Sequence, residues 1–215
     1  MTYALVIAGG DPPDQSILDG VRDAELVVAA DCGLRVARTH GLSIDLVVGD
    51  LDSVSTGDVA WAEAEGAKIL KVPENKDYTD LELAIEQSAA AEILHIVVLG
   101  IDGGRVDHEL GNWAVLCAPR PQMIDIRTAG GTVTVLHGEF INKLEITGEP
   151  GEIVSIISRN GDAQGVTTTG LKWPLTNAVL ASSSSLGISN EFVDGEASVA
   201  VAEGTVLVAR PTPEN

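Results

Sequence analysis

The first half of the chain alternates short apolar runs with helix-like segments. The apolar runs are "YALVIA", "ELVVAA", "DLVV", "KILKV" and "HIVVLG", and the segments between them include "GLRVARTHG", "DVAWAEAEG" and "TDLELAIEQSAAAE". Continuous apolar strands separated by amphipathic helices are what a parallel sheet covered on both faces requires. The pattern therefore predicts an α/β domain over residues 1–122, with a doubly wound, mostly parallel sheet.

From residue 126 the helical pattern stops, and short strand-like runs follow one another between turn residues. These runs are "TVTVLHG", "FINKLEI", "EIVSIIS", "GVTTTGL", "ASVAVAEG" and "TVLVARP". Such spacing is typical of an antiparallel sandwich or barrel. We predict an antiparallel β-sandwich over residues 123–215, with the boundary near Pro121.

The charge balance narrows the classes of partner. The 215 residues include 32 acidic and 13 basic side chains, a net charge of −19, which would repel a nucleic acid or an anionic membrane. The start "MTYALVIAGGD" lacks the basic region of a signal peptide, and no apolar run reaches membrane-spanning length. We expect a cytoplasmic protein in which Cys32 and Cys117 are reduced thiols, with neither nucleic acid nor membrane as a partner.

Aspartates recur just beyond the ends of the predicted strands, where open α/β sheets bind their ligands. They are Asp31, Asp50, Asp52, Asp80, Asp102 and Asp107. Two unit charges about 4 Å apart repel by roughly 4 kcal/mol at an effective dielectric constant near 20, so converging carboxylates need a cation or must take up protons. Because no His or Cys cluster has zinc spacing, an all-oxygen site favours Mg²⁺. Asp50 and Asp52 are therefore candidate magnesium ligands.

The segment "KDYTDLELAIE" predicts the start of a helix. Thr79 and Glu82 have the spacing of a capping box, which places Asp80 in the first turn. The helix dipole stabilises such a carboxylate by about 0.3 to 1 kcal/mol, which is less than the repulsion expected from Asp50 and Asp52. If Asp80 reaches those two side chains, we expect a metal to be present.

Two basic side chains are expected at the same edge of the sheet. Lys76 precedes the predicted helix and Arg105 lies in "DGGRVDHELGN", where a polyphosphate would need positive charge. Gly103 and Gly104 permit a tight turn, and Asp107 then opens another helix. Neither a Walker A motif nor a G-x-G-x-x-G sequence is found, so any nucleotide site is of a less common kind.

Taken in order, "AADCG", "GDLDS", "KDYTDLELAI", "GGRVDHELGN", "GLKWPL" and "GISNE" resemble the thiamine pyrophosphokinase family over nearly the whole chain. The resemblance implies an α/β catalytic domain followed by a β-sandwich, and a homodimer with its active site near the subunit interface. It implies transfer of a pyrophosphoryl group from ATP to thiamine, which gives thiamine diphosphate and AMP. The reaction would serve thiamine diphosphate biosynthesis or salvage.

The resemblance also implies roles for individual residues. Asp50, Asp52 and Asp80 would be the catalytic residues that bind Mg²⁺ and ATP. The residues expected near the substrates are Asp31, Lys76, Thr79, Arg105 and Asp107 for the nucleotide, and Ser189 and Asn190 for thiamine. Cys32 departs from the family pattern, which often has glycine there, so this turn must tolerate a side chain. Whether Asp80 or Asp52 accepts the hydroxyl proton stays open.

Three alternatives deserve a test. The stretch "DLDSV" fits the D-x-D-x-[TV] nucleophile motif of haloacid dehalogenase phosphatases, although that motif usually follows the first strand. A pyrophosphokinase acting on a pterin or another alcohol would keep the aspartates, and a non-catalytic thiamine or nucleotide sensor would have lost some of them. For Trp173 we favour packing in a core or an interface over stacking on a substrate.

Overall fold

The computed structural model describes residues 2–213. The chain divides into two compact units: unit 1 comprises residues 1–115 and 126–129, and unit 2 comprises residues 116–125 and 130–215. Strand β6 (Met123–Thr128) contributes residues to both units. A domain boundary between residues 122 and 123 stays a prediction.

Unit 1 contains a parallel sheet with the strand order β4-β3-β2-β1-β5. The strands are β1 (Ala4–Ile7), β2 (Leu26–Ala30), β3 (Leu46–Gly49), β4 (Lys68–Lys71) and β5 (His95–Leu99). Each coincides with one of the predicted apolar runs. All residues of the central strand β1 are buried, as expected for a strand covered on both faces.

The helices of this part of the chain are α1 (Gln15–Asp19), α2 (Gly33–His40), α3 (Thr56–Ala64), α4 (Asp80–Ala90) and α5 (Val106–Leu116). Leu5 and Ile7 of β1 pack with Leu34 of α2 in one apolar cluster. Helix α4 contacts β1, β2 and β3 and buries Ile85 outside that cluster. Alternate side chains of the sheet thus face different helices, and the doubly wound α/β prediction is confirmed. The short α1 was not predicted.

Unit 2 is built from antiparallel strands. They are β7 (Gly131–His137), β8 (Lys143–Thr147), β9 (Ile153–Thr169), β10 (Ala178–Leu180), β11 (Asn190–Glu191), β12 (Glu196–Ala200) and β13 (Glu203–Pro211). Its apolar core combines Val154 and Val206 from the β9–β13 pair with Ile146 and Val199 from the β8–β12 pair. Two layers of strands therefore share one core, which confirms the antiparallel β-sandwich.

One prediction in this unit was wrong. The runs "EIVSIIS" and "GVTTTGL" were expected to be separate strands, but both belong to β9. Residues 155–159 of β9 pair with β13, whereas residues 167–169 pair with β12. Asn160, Gly161 and Gly165 have positive φ angles between the two stretches, so the strand changes partner without ending. Within residues 2–213, no helix is long and apolar enough to cross a membrane.

Candidate active site

A cleft of about 540 Å³ lies in unit 1 beyond the carboxyl ends of its strands. Its floor is formed where the loops after β1 and β5 pair: Gly10 N donates to Gly100 O at 2.8 Å, and Asp11 N donates to Asp102 O at 2.8 Å. A Cβ atom on Gly10 would lie 2.2 Å from the Asp102 carbonyl oxygen, so this position requires glycine. The loop after β1 was not among the predicted site segments, although its place directly after an apolar strand was a usable signal.

Three predicted aspartates converge at this end of the sheet. One carboxylate oxygen from each of Asp31, Asp50 and Asp52 lies within 4.8 Å of the others. Asp31 follows β2 and the other two follow the neighbouring strand β3, so the sheet itself brings them together. Asp31 and Leu51 have φ angles of 43° and 63°, which costs about 1 kcal/mol for each non-glycine residue. Backbone strain of this kind is concentrated at functional sites.

Hydrogen bonds already engage both oxygens of one carboxylate in this acidic cluster of Asp31, Asp50 and Asp52. Asp50 Oδ1 accepts a hydrogen bond from Asp52 N at 3.1 Å, and Asp50 Oδ2 accepts one from Lys76 Nζ at 3.3 Å. The backbone donor is the main reason that the pKa of Asp50 is lowered. Asp31 Oδ1 is buried and has no hydrogen-bond partner among residues 2–213. A buried carboxylate oxygen without a donor, beside two further carboxylates, fits a hard divalent cation.

Lys76 links the acidic cluster to Asp80. Its Nζ lies 3.1 Å from Asp80 Oδ1, and its side chain is only 13% exposed. Burial raises the pKa of Asp80, and Lys76 only partly offsets that effect. Burial also favours a neutral Lys76, but Asp80 and Asp50 raise the pKa of the ammonium group overall. Lys76 supplies positive charge between Asp80 and Asp50, so their proximity does not by itself require a metal, and a metal bound by Asp80 stays a prediction.

The start of α4 has the predicted capping residue. Thr79 is the N-cap, and its Oγ1 accepts a hydrogen bond from Glu82 N at 3.2 Å. Asp80 is the first residue of the helix, so its carboxylate lies where the helix dipole is positive. Thr79, Asp80 and Lys76 all line the cleft. This helix start therefore places three of the predicted residues at one wall.

Arg105 and Asp107 are paired with each other rather than with the acidic cluster. Arg105 Nη2 lies 2.6 Å from Asp107 Oδ2, and the two side chains are 73% and 62% exposed. The hydrogen bond from Arg105 lowers the pKa of Asp107 to about 2. Arg105 lines the cleft, whereas Asp107 lies in the first turn of α5 and is not among the lining residues. Their contact with a nucleotide stays a prediction.

Other cleft residues carried no strong sequence signal. Tyr78 and Glu74 lie in the loop before α4, and Asn112 donates from Nδ2 to Ile101 O at 2.9 Å. Cys32 also lines the cleft, and burial raises its thiol pKa to about 11, so the group is protonated at neutral pH. Cys32 and Cys117 are both free, as predicted.

Ser189 and Asn190, the residues expected to contact thiamine, lie in unit 2. Asn190 is 3% exposed. Its Oδ1 accepts hydrogen bonds from Trp173 N at 3.0 Å and Glu191 N at 2.9 Å, and its Nδ2 donates to Trp173 O at 2.7 Å. Ser189 has a positive φ angle, and its backbone N donates to Ser155 Oγ at 3.0 Å. The amide of Asn190 thus fixes the backbone of Trp173.

The side chain of Trp173 is not a core residue. It is 53% exposed, and Lys172 Nζ lies 4.6 Å from its ring centroid. Lys172 Nζ in turn lies 2.8 Å from Glu191 Oε2. The expectation that Trp173 packs in a core was wrong, because the Asn190 hydrogen bonds hold its backbone at the surface of the unit. Packing in an interface stays a prediction.

Comparison with known proteins identifies the family. The model of the thiamin pyrophosphokinase catalytic domain matches residues 19–128, and that of the thiamin pyrophosphokinase vitamin B1 binding domain matches residues 142–206. The chain belongs to the thiamin pyrophosphokinase family. This confirms the resemblance found in the sequence, and the chain is an enzyme rather than a non-catalytic sensor. The family match also removes the support for a haloacid dehalogenase phosphatase.

Individual relatives agree with this assignment. Thiamine pyrophosphokinase from Bacillus subtilis (strain 168) is 28% identical over 211 residues, which cover 96% of this chain and 97% of the relative. A crystal structure of thiamine pyrophosphokinase from Bacillus subtilis superposes with a TM-score of 0.83 at 26% identity and covers 100% of both chains. Thiamin pyrophosphokinase from Geobacillus thermodenitrificans gives a TM-score of 0.81 at 25% identity over 100% of this chain and 99% of that one.

Proposed function

We propose that this member of the family transfers the pyrophosphoryl group of ATP to the hydroxyl group of thiamine, which yields thiamine diphosphate and AMP. The observation that carries the proposal is the convergence of Asp31, Asp50 and Asp52 within 4.8 Å, in the segment that matches the family's catalytic domain. The reaction would serve thiamine diphosphate biosynthesis or salvage in the cytoplasm.

The acidic cluster and Asp80 suit a magnesium ion, and Asp31 and Asp80 line the cleft. Asp50 and Asp52 are the proposed ligands, with Asp80 as the third from the sequence and Asp31 as a further candidate from the cluster. All of them offer oxygen, which Mg²⁺ prefers, and the buried Asp31 Oδ1 lacks a donor among residues 2–213. When bound, Mg²⁺ neutralises negative charge on the phosphates.

The chain's own residues would orient the polyphosphate. Lys76 and Arg105 border the cleft with positive charge, and Thr79 caps the amino end of α4, where the helix dipole is positive. Asp107 would hold Arg105 in place through their ion pair. Catalysis of this kind depends mostly on positioning and on electrostatic stabilisation.

In the proposed reaction the thiamine hydroxyl oxygen forms a bond to the β-phosphorus of ATP. The bond between that phosphorus and the oxygen that bridges it to the α-phosphate breaks, and this oxygen leaves with AMP. The hydroxyl proton is released late in a loose transition state, so a strong base is not required. Asp80 and Asp52 are both candidates to accept it.

Residues of the β-sandwich are proposed to bind thiamine. This part of the chain matches the family's vitamin B1 binding domain, and it contains Ser189 and Asn190. We propose that the active form is a homodimer with the site near the subunit interface. The net charge of −19 is compatible with cationic thiamine as a ligand and argues against nucleic acid or membrane partners.

Product analysis tests the proposal. Purified protein incubated with ATP, Mg²⁺ and thiamine should form AMP and thiamine diphosphate in equal amounts, and omission of Mg²⁺ should stop the reaction. Release of inorganic phosphate without AMP would instead indicate a phosphatase. Pterin alcohols, supplied in a panel with thiamine, test the alternative acceptor, and a preference for one of them would overturn the assignment of thiamine.

A further inference from the structure

Lys76 lies between two carboxylates that the proposed function assigns to the metal and the nucleotide. Its Nζ is 3.3 Å from Asp50 Oδ2 and 3.1 Å from Asp80 Oδ1, and the side chains of Lys76 and Asp50 are only 13% and 17% exposed. Asp50 follows β3, Asp80 begins α4, and Lys76 is in the loop between β4 and α4. A single ammonium group therefore joins Asp50 of the acidic cluster to Asp80, which lines the cleft together with Lys76.

This arrangement leaves Asp50 without an unused oxygen. Its Oδ1 accepts the hydrogen bond from Asp52 N and its Oδ2 contacts Lys76 Nζ. A cation that approaches Asp31, Asp50 and Asp52 meets the positive charge of Lys76 beside one of its ligands. Cation binding must therefore either weaken the contact of Lys76 with Asp50 or take place against its repulsion.

We propose that Lys76 is a displaceable internal counter-ion, which keeps divalent-cation affinity low in the free enzyme and couples cation binding to the arrival of the nucleotide. The inference rests on the proposed function. The phosphate oxygens of a nucleotide offer the ammonium group new acceptors in the same cleft, so Lys76 can leave Asp50 without losing its partners. Cation and nucleotide then strengthen each other's binding, and this coupling is reciprocal.

Binding measurements at pH 8.0 test this role. Free Mn²⁺ is counted by electron paramagnetic resonance for the wild type, Lys76→Met, Lys76→Arg and Lys68→Met. Lys68 is an exposed residue at the far end of β4, so its replacement controls for the change in net charge. Each protein is titrated with and without α,β-methylene-ATP, in which the bond that the reaction would break is replaced.

We expect Lys76→Met to bind Mn²⁺ at least about tenfold more tightly than the wild type when no nucleotide is present. The factor by which the analogue increases Mn²⁺ affinity should fall by a similar amount, whereas Lys76→Arg and Lys68→Met should resemble the wild type. In metal-free buffer, Lys76→Met should also melt at a lower temperature than Lys68→Met, and Mn²⁺ should remove most of that difference.

Unchanged or weaker Mn²⁺ binding by Lys76→Met, or an undiminished effect of the analogue, would overturn the counter-ion role. Wild-type turnover in the product assay separates this failure from failure of the proposed function. If the wild type forms AMP and Lys76→Met binds Mn²⁺ normally, only the inference on Lys76 is lost. If the wild type neither binds Mn²⁺ with the analogue nor forms AMP, both are lost.

Discussion

Acidification should destabilise this protein through a buried histidine of the β-sandwich. His137, the last residue of β7, is 2% exposed, and its Nδ1 lies 3.1 Å from Thr205 Oγ1. Its Nε2 is buried and has no hydrogen-bond partner among residues 2–213. Burial, together with the nearby positive charge of Arg120, lowers the pKa of His137 from 6.5 to about 4. The folded protein therefore holds this imidazole neutral where the unfolded chain would protonate it.

The sign and size of the effect follow from that difference in pKa. The unfolded state binds the extra proton below pH 6.5, so stability falls as the pH decreases from 6.5 towards 4 and changes no further once both states are protonated. The full loss in the free energy of unfolding is about 3 kcal/mol, because each unit of pKa difference corresponds to about 1.4 kcal/mol. At pH 5.0 the same relation gives a loss of about 2 kcal/mol relative to pH 7.5. That is a large fraction of the stability of an ordinary domain.

Urea unfolding followed by circular dichroism at pH 7.5 and 5.0 measures the loss, with His137→Gln as the control because it is neutral at both values. The wild type should lose about 2 kcal/mol more than this variant between the two conditions. Other groups titrate equally in both proteins, so the difference isolates His137. Equal losses, within about 0.5 kcal/mol, would refute the reasoning. An imidazole NMR titration that gives His137 a pKa near 6.5 would refute it independently.

Three further substitutions test a proposed metal ligand, the hydrogen bonds of Asn190 and the cap of α4. Asp52→Asn should lower AMP formation by more than about a hundredfold while circular dichroism stays unchanged, because it alters an exposed proposed metal ligand. Asn190→Ala should destabilise the fold by about 1 to 3 kcal/mol in urea unfolding, and it should make Trp173 more accessible to acrylamide, because two backbone groups of Trp173 lose their partners. Thr79→Ala should cost about 1 kcal/mol through loss of the α4 cap, measured in the same way, whereas Thr79→Ser should not.

Each of these three predictions has an outcome that would contradict it. Wild-type turnover by Asp52→Asn would remove Asp52 from the proposed metal ligands. For the Asn190 experiment, Trp61 and Trp113 are first replaced by phenylalanine so that fluorescence reports Trp173 alone. Unchanged quenching would show that Asn190 does not position Trp173, and unchanged stability of Thr79→Ala would show that the cap is not stabilising.

Strands and helix starts were predicted well where they depend on residues that are neighbours in the sequence. The five apolar runs of the first half became β1 to β5, because each is a continuous apolar segment bounded by turn or helix-start residues. Thr79 capped α4 for the same reason. The strands β10 and β11 were not predicted, because three and two residues are too few to show a period. The short α1 was also missed, and so was β6, although its six residues "MIDIRT" contain an alternation of apolar and polar side chains.

The candidate site was predictable in part. The rule that ligands bind beyond the carboxyl ends of strands selected Asp31, Asp50 and Asp52, and the fold brings these three together. The same rule did not distinguish them from Asp107, which pairs with Arg105 instead. Asn190 was expected to contact thiamine, but the sequence held no sign that its amide fixes the Trp173 backbone, since the two residues are 17 positions apart.

The sequence alone determined the α/β and antiparallel β character of the two parts of the chain, the reduced thiols and the family. The reason is that hydrophobic period, composition and short motifs can be read from the residues without knowledge of their distances in space. Tertiary structure decided which charges meet. Lys76 reaches across 26 positions to Asp50, and β9 leaves one partner strand for another, because strand order and register set distances that local sequence does not encode. Electrostatic energy depends on those distances, so the contact of the acidic cluster with Lys76 became visible only in the folded chain.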